Sequence, residues 1–344
     1  MANILTMVLA LVFLTLPAAQ AGTLIVLNKS EASASLIDLG SGKEVARVTT
    51  REGPHEVAVS PDGKIAVVGN YGGPDGRSLT VVDVASAKAL RTVELEEYSR
   101  PHGIEFFDDG QRVAVTAEAQ KALIVVDVTT GEVLQAIDTG QNVSHMVVLS
   151  PDETRAFVAN IGSGSMTAID LEKGERIANV KTGEGTEGID ITPDGKHVWV
   201  TNRGENTVSV IDARSLEIVK TLPSGDFPIR AKVTPDGQWV LVSNAESGDL
   251  TVYDAVKMEE VRRLDLAHDA EATEGRLFGD AFSESSVPIG ILVAPDSKRA
   301  YVAHANADVV SVIDLKSWQI RGYLKGGKEP DGLGYSPVEV KAGD

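Results

Sequence analysis

The sequence predicts an all-β fold, a seven-bladed β-propeller, from three observations: a recurring turn, a recurring aspartate and the phase of the two chain ends. Both recurrences have a period of about 42 residues, the length of a propeller blade built from four short strands. Stacked blades bury one continuous core. We therefore expect a single propeller domain over residues 22–344.

The recurring turn follows the predicted first strand of each blade. A proline in it presets φ, and a glycine two residues later accepts a positive φ, so the chain reverses sharply into a hairpin. The seven members of this series lie at residues 60–63, 108–110, 151–153, 193–195, 235–237, 295–297 and 336–337.

The recurring aspartate ends the third strand of each blade, and we expect its carboxylate to cap the next turn. Its members are Asp38, Asp83, Asp127, Asp170, Asp212, Asp254 and Asp314. The last interval is longer than the others by about 18 residues, beyond the variation of ordinary blade lengths. This places an insertion at about 267–286, interpreted as a lid or docking segment with a short helix over 271–282.

The phase of the chain ends predicts how the ring closes. The chain starts with the second, third and fourth strands of a blade, at 24–27, 35–37 and 45–48. The missing first strand is found at 331–337. A blade assembled from both ends removes the open sheet edge and locks the ring.

Segments 198–202 (VWVTN) and 207–212 (TVSVID), with their Pro-Asp-Gly turns, resemble the YVTN-repeat β-propellers. This resemblance extends over nearly the whole chain after residue 21. It implies kinship with exported bacterial propellers associated with quinone-dependent catabolism, with the propeller domain of d1-haem nitrite reductases and, more distantly, with propeller lactonases. The fold follows from the repeat, whereas the function does not, because one fold hosts many functions.

The N-terminus and the charge limit the compartment and the partners. Residues 1–21 are uncharged and apolar and end in Ala19-Gln20-Ala21, which predicts a signal peptide cleaved after Ala21 and a periplasmic or secreted protein. The net charge of −18 argues against nucleic acid and against a membrane once the signal is removed. We expect a monomer whose partner is a protein or a small ligand. Without cysteine, a covalently attached c-type haem is excluded.

The candidate site lies where the repeats stop agreeing. Six residues before each turn, at the entrance of the first strand, the blades carry His55, His102, His145, Glu187, Ile229, Ile289 and Asp331. This entrance opens onto one end of the central channel. Neighbouring segments add Tyr71, Glu118, Arg203, Arg230 and His304 to the predicted channel mouth.

Imidazoles beside a carboxylate suit Zn, Cu, Ni or Fe, so a transition-metal site is predicted from His55, His102, His145, Glu187 and His304. The alternative is that each histidine caps its own loop or faces solvent.

Three functions remain open on these residues. The first is a non-enzymatic binding or accessory protein, serving a redox or catabolic system, with a ligand or metal site at the channel mouth. The second is a lactonase-like or isomerase-like enzyme in which His145, Glu187, Arg203 and Arg230 supply the acid, the base and the carboxylate clamps. The third is a propeller that binds a haem or metal cofactor through histidine.

Overall fold

The computed structural model describes residues 21–73, 76–269, 274–279, 281–282 and 284–341. It contains seven antiparallel sheets of four strands each. The predicted signal peptide lies outside the described residues except for Ala21. Among the described residues, no helix has the length and apolar character needed to cross a membrane.

The first strands of the seven blades surround the channel. They are β4 (Pro54–Val59), β8 (Pro101–Phe106), β12 (Ser144–Leu149), β16 (Thr186–Ile191), β20 (Pro228–Val233), β24 (Pro288–Val293) and β28 (Pro330–Ser336). The second strands pair antiparallel with them. They are β5 (Ile65–Asn70), β9 (Arg112–Ala117), β13 (Arg155–Asn160), β17 (His197–Asn202), β21 (Trp239–Asn244), β25 (Arg299–His304) and β1 (Thr23–Asn28), in blades 1 to 7.

The third strands end in the recurring aspartate. They are β6 (Ser78–Asp83), β10 (Ala122–Asp127), β14 (Ser165–Asp170), β18 (Thr207–Asp212), β22 (Asp249–Asp254), β26 (Val309–Asp314) and β2 (Ser33–Asp38). The fourth strands form the outer edge. They are β7 (Lys88–Glu94), β11 (Val133–Asp138), β15 (Glu175–Lys181), β19 (Ile218–Pro223), β23 (Glu259–Asp265), β27 (Gln319–Lys325) and β3 (Lys43–Thr49). A short 3-10 helix, Lys29–Glu31, follows β1.

The predicted closure of the ring is confirmed. The sheet of blade 7 has the order β28-β1-β2-β3, with Val26 opposite Leu333 and Leu24 opposite Tyr335. β28 also contacts β4 of blade 1 and β24 of blade 6. The first strands therefore form an unbroken circle, and their seven entrances lie around one axial opening.

The core lies between neighbouring blades. A typical layer joins Val67 and Leu79 of blade 1 to Val113 and Ile124 of blade 2, all fully buried. Trp199 of blade 4 occupies the same repeat position as Val67 and is also fully buried. These side chains pack the blades together, so the large aromatic residues of the second strands form no exposed stacking surface.

The recurring aspartates cap turns, as predicted. Asp38 accepts a hydrogen bond from Ser41 N at 2.7 Å, and Asp212 accepts one from Ser215 N at the same distance. Hydrogen bonds from the serine lower the pKa of Asp38. The same local pattern in all seven blades identifies these carboxylates as scaffold.

Candidate functional site

The entrances of the first strands surround a cavity of about 300 Å³, the mouth cavity. Its polar lining contains nearly all the side chains predicted for the channel mouth. These are His55, Tyr71, His102, Glu118, His145, Glu187, Arg203, Arg230 and Asp331. Its apolar lining is Val143, Ile161, Ile229, Leu277, Phe278 and Ile289. The sequence position that varies from blade to blade thus forms one site.

Glycines allow these side chains to approach one another. A Cβ on Gly103, in β8, would lie 2.7 Å from Met146 Cα of the next blade. A Cβ on Gly188 would lie 2.7 Å from Arg230 Cα, and one on Gly332 would lie 2.3 Å from His55 O. Real Cβ atoms need more space, so only glycine permits this close contact between first strands.

Three imidazoles and a phenol pack at the mouth as a result. The rings of His102 and His145 are 3.5 Å apart between centroids, and those of His55 and His102 are 5.0 Å apart. Tyr71 lies 4.5 Å from His55. Burial lowers the pKa of His55 to about 4, and it also holds the pKa of His102 well below its usual value, aided by His145. Both of these imidazoles are therefore neutral at neutral pH.

His145 is held between two carboxylates. Its Nδ1 bonds to Glu118, whose other oxygen accepts a hydrogen bond from Tyr71 Oη at 2.7 Å. Its Nε2 lies 3.3 Å from Glu187 Oε1. Burial alone lowers the pKa of His145, but the bonds to Glu118 and Glu187 outweigh burial and raise it. Burial and then Glu118 raise the pKa of Tyr71 as well.

Glu187 is the anionic centre of the network. Besides His145, it accepts hydrogen bonds from Arg203 and from Arg230 Nη1, the latter at 3.2 Å. Burial raises the pKa of Glu187, but His145 and then the two arginines outweigh that effect and lower it to about 2. Arg203 also lies 4.9 Å above the Phe227 ring.

Arg230 crosses the channel axis and joins blades on opposite sides. Its Nη2 lies 2.7 Å from Glu56 Oε1 of blade 1 and 3.9 Å from Asp331 Oδ1 of blade 7. Burial lowers the pKa of Arg230, while Glu56, Asp331 and Glu187 together raise it. Both arginines therefore bind carboxylates of the protein itself, which differs from their predicted use as clamps for a ligand.

Two buried polar atoms of the mouth have no hydrogen-bond partner among the described residues. They are His102 Nδ1 and Asp331 Oδ1, on side chains that line the cavity and are 1% and 2% exposed. Buried polar groups in folded proteins are nearly always paired, because an unpaired one costs about 1–3 kcal/mol. These atoms therefore mark where a bound molecule would complete the site.

Comparisons with known proteins give sequence matches to part of this chain. Residues 107–233 match the family model described as "Cytochrome D1 heme domain". A segment of 102 residues is 31% identical to hydrazine synthase subunit beta of Kuenenia stuttgartiensis, covering 28% of this chain and 26% of that subunit. The chain thus matches about a quarter of the curated relative's length.

Solved structures support the fold. The Kuenenia stuttgartiensis hydrazine synthase structure has a TM-score of 0.69 at 21% identity, covering 89% of this chain and 97% of the other. A functionally unknown protein from Desulfotomaculum acetoxidans has a TM-score of 0.76 at 13% identity, covering 93% and 100%. The chain is a seven-bladed β-propeller similar to these proteins.

The predicted metal ligands of the mouth are engaged with other protein groups. No group of three or more histidine, cysteine or acidic side chains in the described ranges could hold a metal ion. Both ring nitrogens of His145 face carboxylates, and His55 Nδ1 lies 2.9 Å from Gly53 O.

His304 does not belong to the mouth, which corrects its predicted role as a metal ligand. Its ring is fully buried inside blade 6, with Nδ1 2.9 Å from Ser286 Oγ and Nε2 3.0 Å from Ser311 Oγ. In blade 7, Asn28 at the same repeat position donates to Ser35 Oγ at 2.9 Å. His304 thus replaces the asparagine that joins the second and third strands in five of the other six blades, blade 2 having Ala117 there.

The predicted insertion is partly described and reaches the mouth. Residues 274–279 form turns, while 271–273 of the predicted helix lie outside the described residues. Arg276 forms two bonds to Asp308, at 2.7 and 2.9 Å, and Leu277 N donates to Glu329 Oε1 at 2.8 Å. These contacts fix Leu277 and Phe278 in the cavity wall.

Glu56 is a network residue that the sequence reasoning missed. It occupies the position after the mouth residue, where four blades carry glycine and blade 5 carries Arg230. The opposite charges of Glu56 and Arg230, at a repeat position where glycine predominates, are the feature of the sequence that could have indicated this pair. Their distance in sequence hid the fact that blades 1 and 5 face each other across the channel.

Proposed function

We propose that this chain is an exported, non-enzymatic binding or accessory protein that holds a small polar ligand in the mouth cavity and serves a redox system. The observation that carries the proposal is two buried atoms of cavity-lining side chains that make no hydrogen bond among the described residues: His102 Nδ1, and Asp331 Oδ1, which lies 3.9 Å from Arg230 Nη2. A preformed cavity with a few fixed polar groups is typical of small-molecule sites.

The charges of the network indicate the kind of ligand. Glu118, Glu187 and Asp331 line the cavity together with Arg203, Arg230 and His145, whose raised pKa favours the protonated form. Asp331 Oδ1 accepts no hydrogen bond among the described residues, and its ion-pair contact, Arg230 Nη2, is 3.9 Å away. A small molecule with an N–H or O–H donor, neutral or cationic, fits this oxygen, while the apolar wall covers its remainder.

The network supports binding better than base catalysis. A general base must be unprotonated at the working pH, with a pKa near it. Glu187 is held at a pKa of about 2, far below that of a base working near neutral pH. Both ring nitrogens of His145 face carboxylates, which raise its pKa and favour its protonated form, so the lactonase-like alternative finds no free base in these two groups.

Several features support the setting of the proposed function. The apolar N-terminal segment supports export, and the net charge of −18 supports a periplasmic partner that is basic or neutral rather than a nucleic acid. The matches to a haem domain and to a hydrazine synthase subunit favour service beside a redox enzyme. We expect the protein to act as a monomer.

Native mass spectrometry of the protein isolated from its own host tests the proposal. We expect a bound small molecule in addition to a polypeptide that begins at Gly22. Asp331→Asn should reduce its occupancy about tenfold, since a charged hydrogen bond contributes about 1.5–3 kcal/mol. Asp170→Asn, at a turn on the other end, should retain it. Absence of any bound mass, or equal occupancy in both variants, would contradict the proposal.

A further inference from the structure

The channel contains a second cavity at the opposite end from the mouth. This lower chamber has a volume of about 450 Å³ and opens between the recurring turns, with Pro61 and Pro295 at its rim. In the described part of the chain, Arg230 is the one residue that lines both cavities. Because Glu56 and Glu187 fix its guanidinium across the axis, Arg230 separates the two cavities.

The wall of the lower chamber combines apolar side chains with five charged ones, Glu56, Glu105, Asp108, Arg230 and Lys232. Each of the seven first strands contributes at least one apolar side chain, including Val59, Phe106, Ile189 and Leu333. Covering such a wall with a ligand removes apolar surface from water, which is favourable by about 25 cal/mol per Å². The chamber therefore favours a molecule with an apolar body.

Two carboxylates that line this chamber, Glu105 and Asp108, form no ion pair among the described residues; Asp108 is exposed, whereas Glu105 is partly buried. Lys232 Nζ lies 3.6 Å from Asp190 Oδ2, and Arg230 is paired with Glu56. Among the described residues, Glu105 has no ion-pair partner, and its one hydrogen bond comes from Leu149 N at 2.8 Å. An unpaired carboxylate against an apolar wall loses hydration, and a bound cation would compensate for that loss.

We propose that the lower chamber binds a small organic ammonium ion, with its ammonium group at Glu105 and its apolar part against the walls. The geometry combines a partly buried carboxylate that forms no ion pair with apolar side chains from every blade, and this combination selects against neutral and anionic molecules of the same shape. The proposal is independent of the mouth ligand, because Arg230 closes the channel between the two sites.

The ionisation of Glu105 predicts how binding depends on pH. Burial raises its pKa to about 7, opposed by Lys232 and Leu149 N and reinforced by Asp190 and Glu153. The carboxylate is therefore charged above pH 7 and neutral below it. An alkylammonium stays protonated over this range, as lysine does with its pKa of about 10.4. Binding should strengthen as the pH rises through 7.

Isothermal titration calorimetry of the whole protein with hexylammonium and with hexanol tests this site. We expect hexylammonium to bind about tenfold more tightly than hexanol at about pH 8.5, and this advantage should shrink at about pH 5.5. Glu105→Gln keeps an acceptor for Leu149 N and should remove the advantage. Asp194→Asn, an exposed turn residue at the same end, should preserve it.

Equal binding of the two probes, or no binding of either, would overturn the proposal. It would also fail if the preference for hexylammonium survived Glu105→Gln. If that variant does not fold, the pH profile of the unaltered protein decides, since a preference that is independent of pH contradicts a role for Glu105.

Discussion

The two ends of the first strands follow opposite rules. At the turn end, every blade repeats nearly the same residues, and each recurring aspartate accepts hydrogen bonds from its own turn, as Asp38 does from Ser41 N. At the mouth end, the blades carry different residues at one position, and these contact other blades, as His145 does with Glu118 and Glu187. Residues that repeat in every blade thus form the scaffold, and the position at which the blades differ forms the site.

The two ends also differ in how much their side chains contribute to the free energy of unfolding. Exposed turn aspartates bond to nearby backbone amides and keep their contact with water, so each contributes little and independently. The mouth groups are buried and share partners, so that removing one leaves others charged and unpaired. Substitutions at four positions test that contrast.

Removal of the anionic centre should have the largest effect. Glu187→Gln leaves His145, Arg203 and Arg230 without their common carboxylate and should lower the free energy of unfolding by about 3–5 kcal/mol. Chemical denaturation measures this loss. The matched control is Glu94→Gln, in the exposed pair with Arg51, which should cost less than about 1 kcal/mol. Similar losses in both variants would refute the contrast.

The close contact of the first strands should be the next most sensitive feature. Gly332→Ala places a Cβ 2.3 Å from His55 O and should destabilise the protein by about 1–3 kcal/mol. Gly322→Ala, in outer strand β27, meets nothing within 4 Å and should change stability by less than about 0.5 kcal/mol. Thermal unfolding compares the two, and equal midpoints would show that the first strands need no glycine.

His304 should behave as scaffold although it is a histidine near the mouth. Burial lowers its pKa to about 3, so the folded state binds fewer protons than the unfolded state between pH 3 and 6.5. Its contribution to stability is complete above pH 6.5 and is lost as the pH falls, by about 1.4 kcal/mol per unit.

His304→Asn, the residue of other blades, should therefore reduce the loss of stability in acid. Denaturation at several pH values measures the slope, and mouth-ligand occupancy should not change. If the slope of stability against pH is unchanged in the variant, His304 titrates normally in the folded protein. If the variant loses the mouth ligand, His304 contributes to the mouth site.

A single turn aspartate should matter least. Asp83→Asn weakens the bonds from Ser86 N and Ser86 Oγ, at 2.8 and 2.5 Å, and should cost less than about 1 kcal/mol. Its effect should also add to that of Glu187→Gln, because the two residues share no partner. Strong non-additivity in the double variant would show that the two ends are coupled.

The fold was predictable because its determinants are local and repeated. Proline, glycine and aspartate at fixed offsets define each hairpin, and the strand phase at residues 24–27 and 331–337 defines the closure. The position of the mouth was predictable for the same reason, since the repeat aligns His55, His102, His145 and Glu187 at one level.

The pairing inside the mouth was not predictable from the repeat. Whether His102 and His145 stack depends on the contact that Gly103 permits between blades, and the repeat contains no information on that distance. The bond of Arg230 to Glu56 spans the channel, and the burial of His304 depends on Ser286 and Ser311. These are tertiary contacts, which a one-dimensional pattern does not encode.

Crystallographic electron density in the mouth cavity of protein purified from its own host decides whether a ligand binds there. We expect a small molecule within hydrogen-bonding distance of Asp331 Oδ1 and His102 Nδ1, with His145 still between Glu118 and Glu187. A mouth that contains only water, or a molecule that contacts neither of the two unpaired atoms, would contradict this expectation.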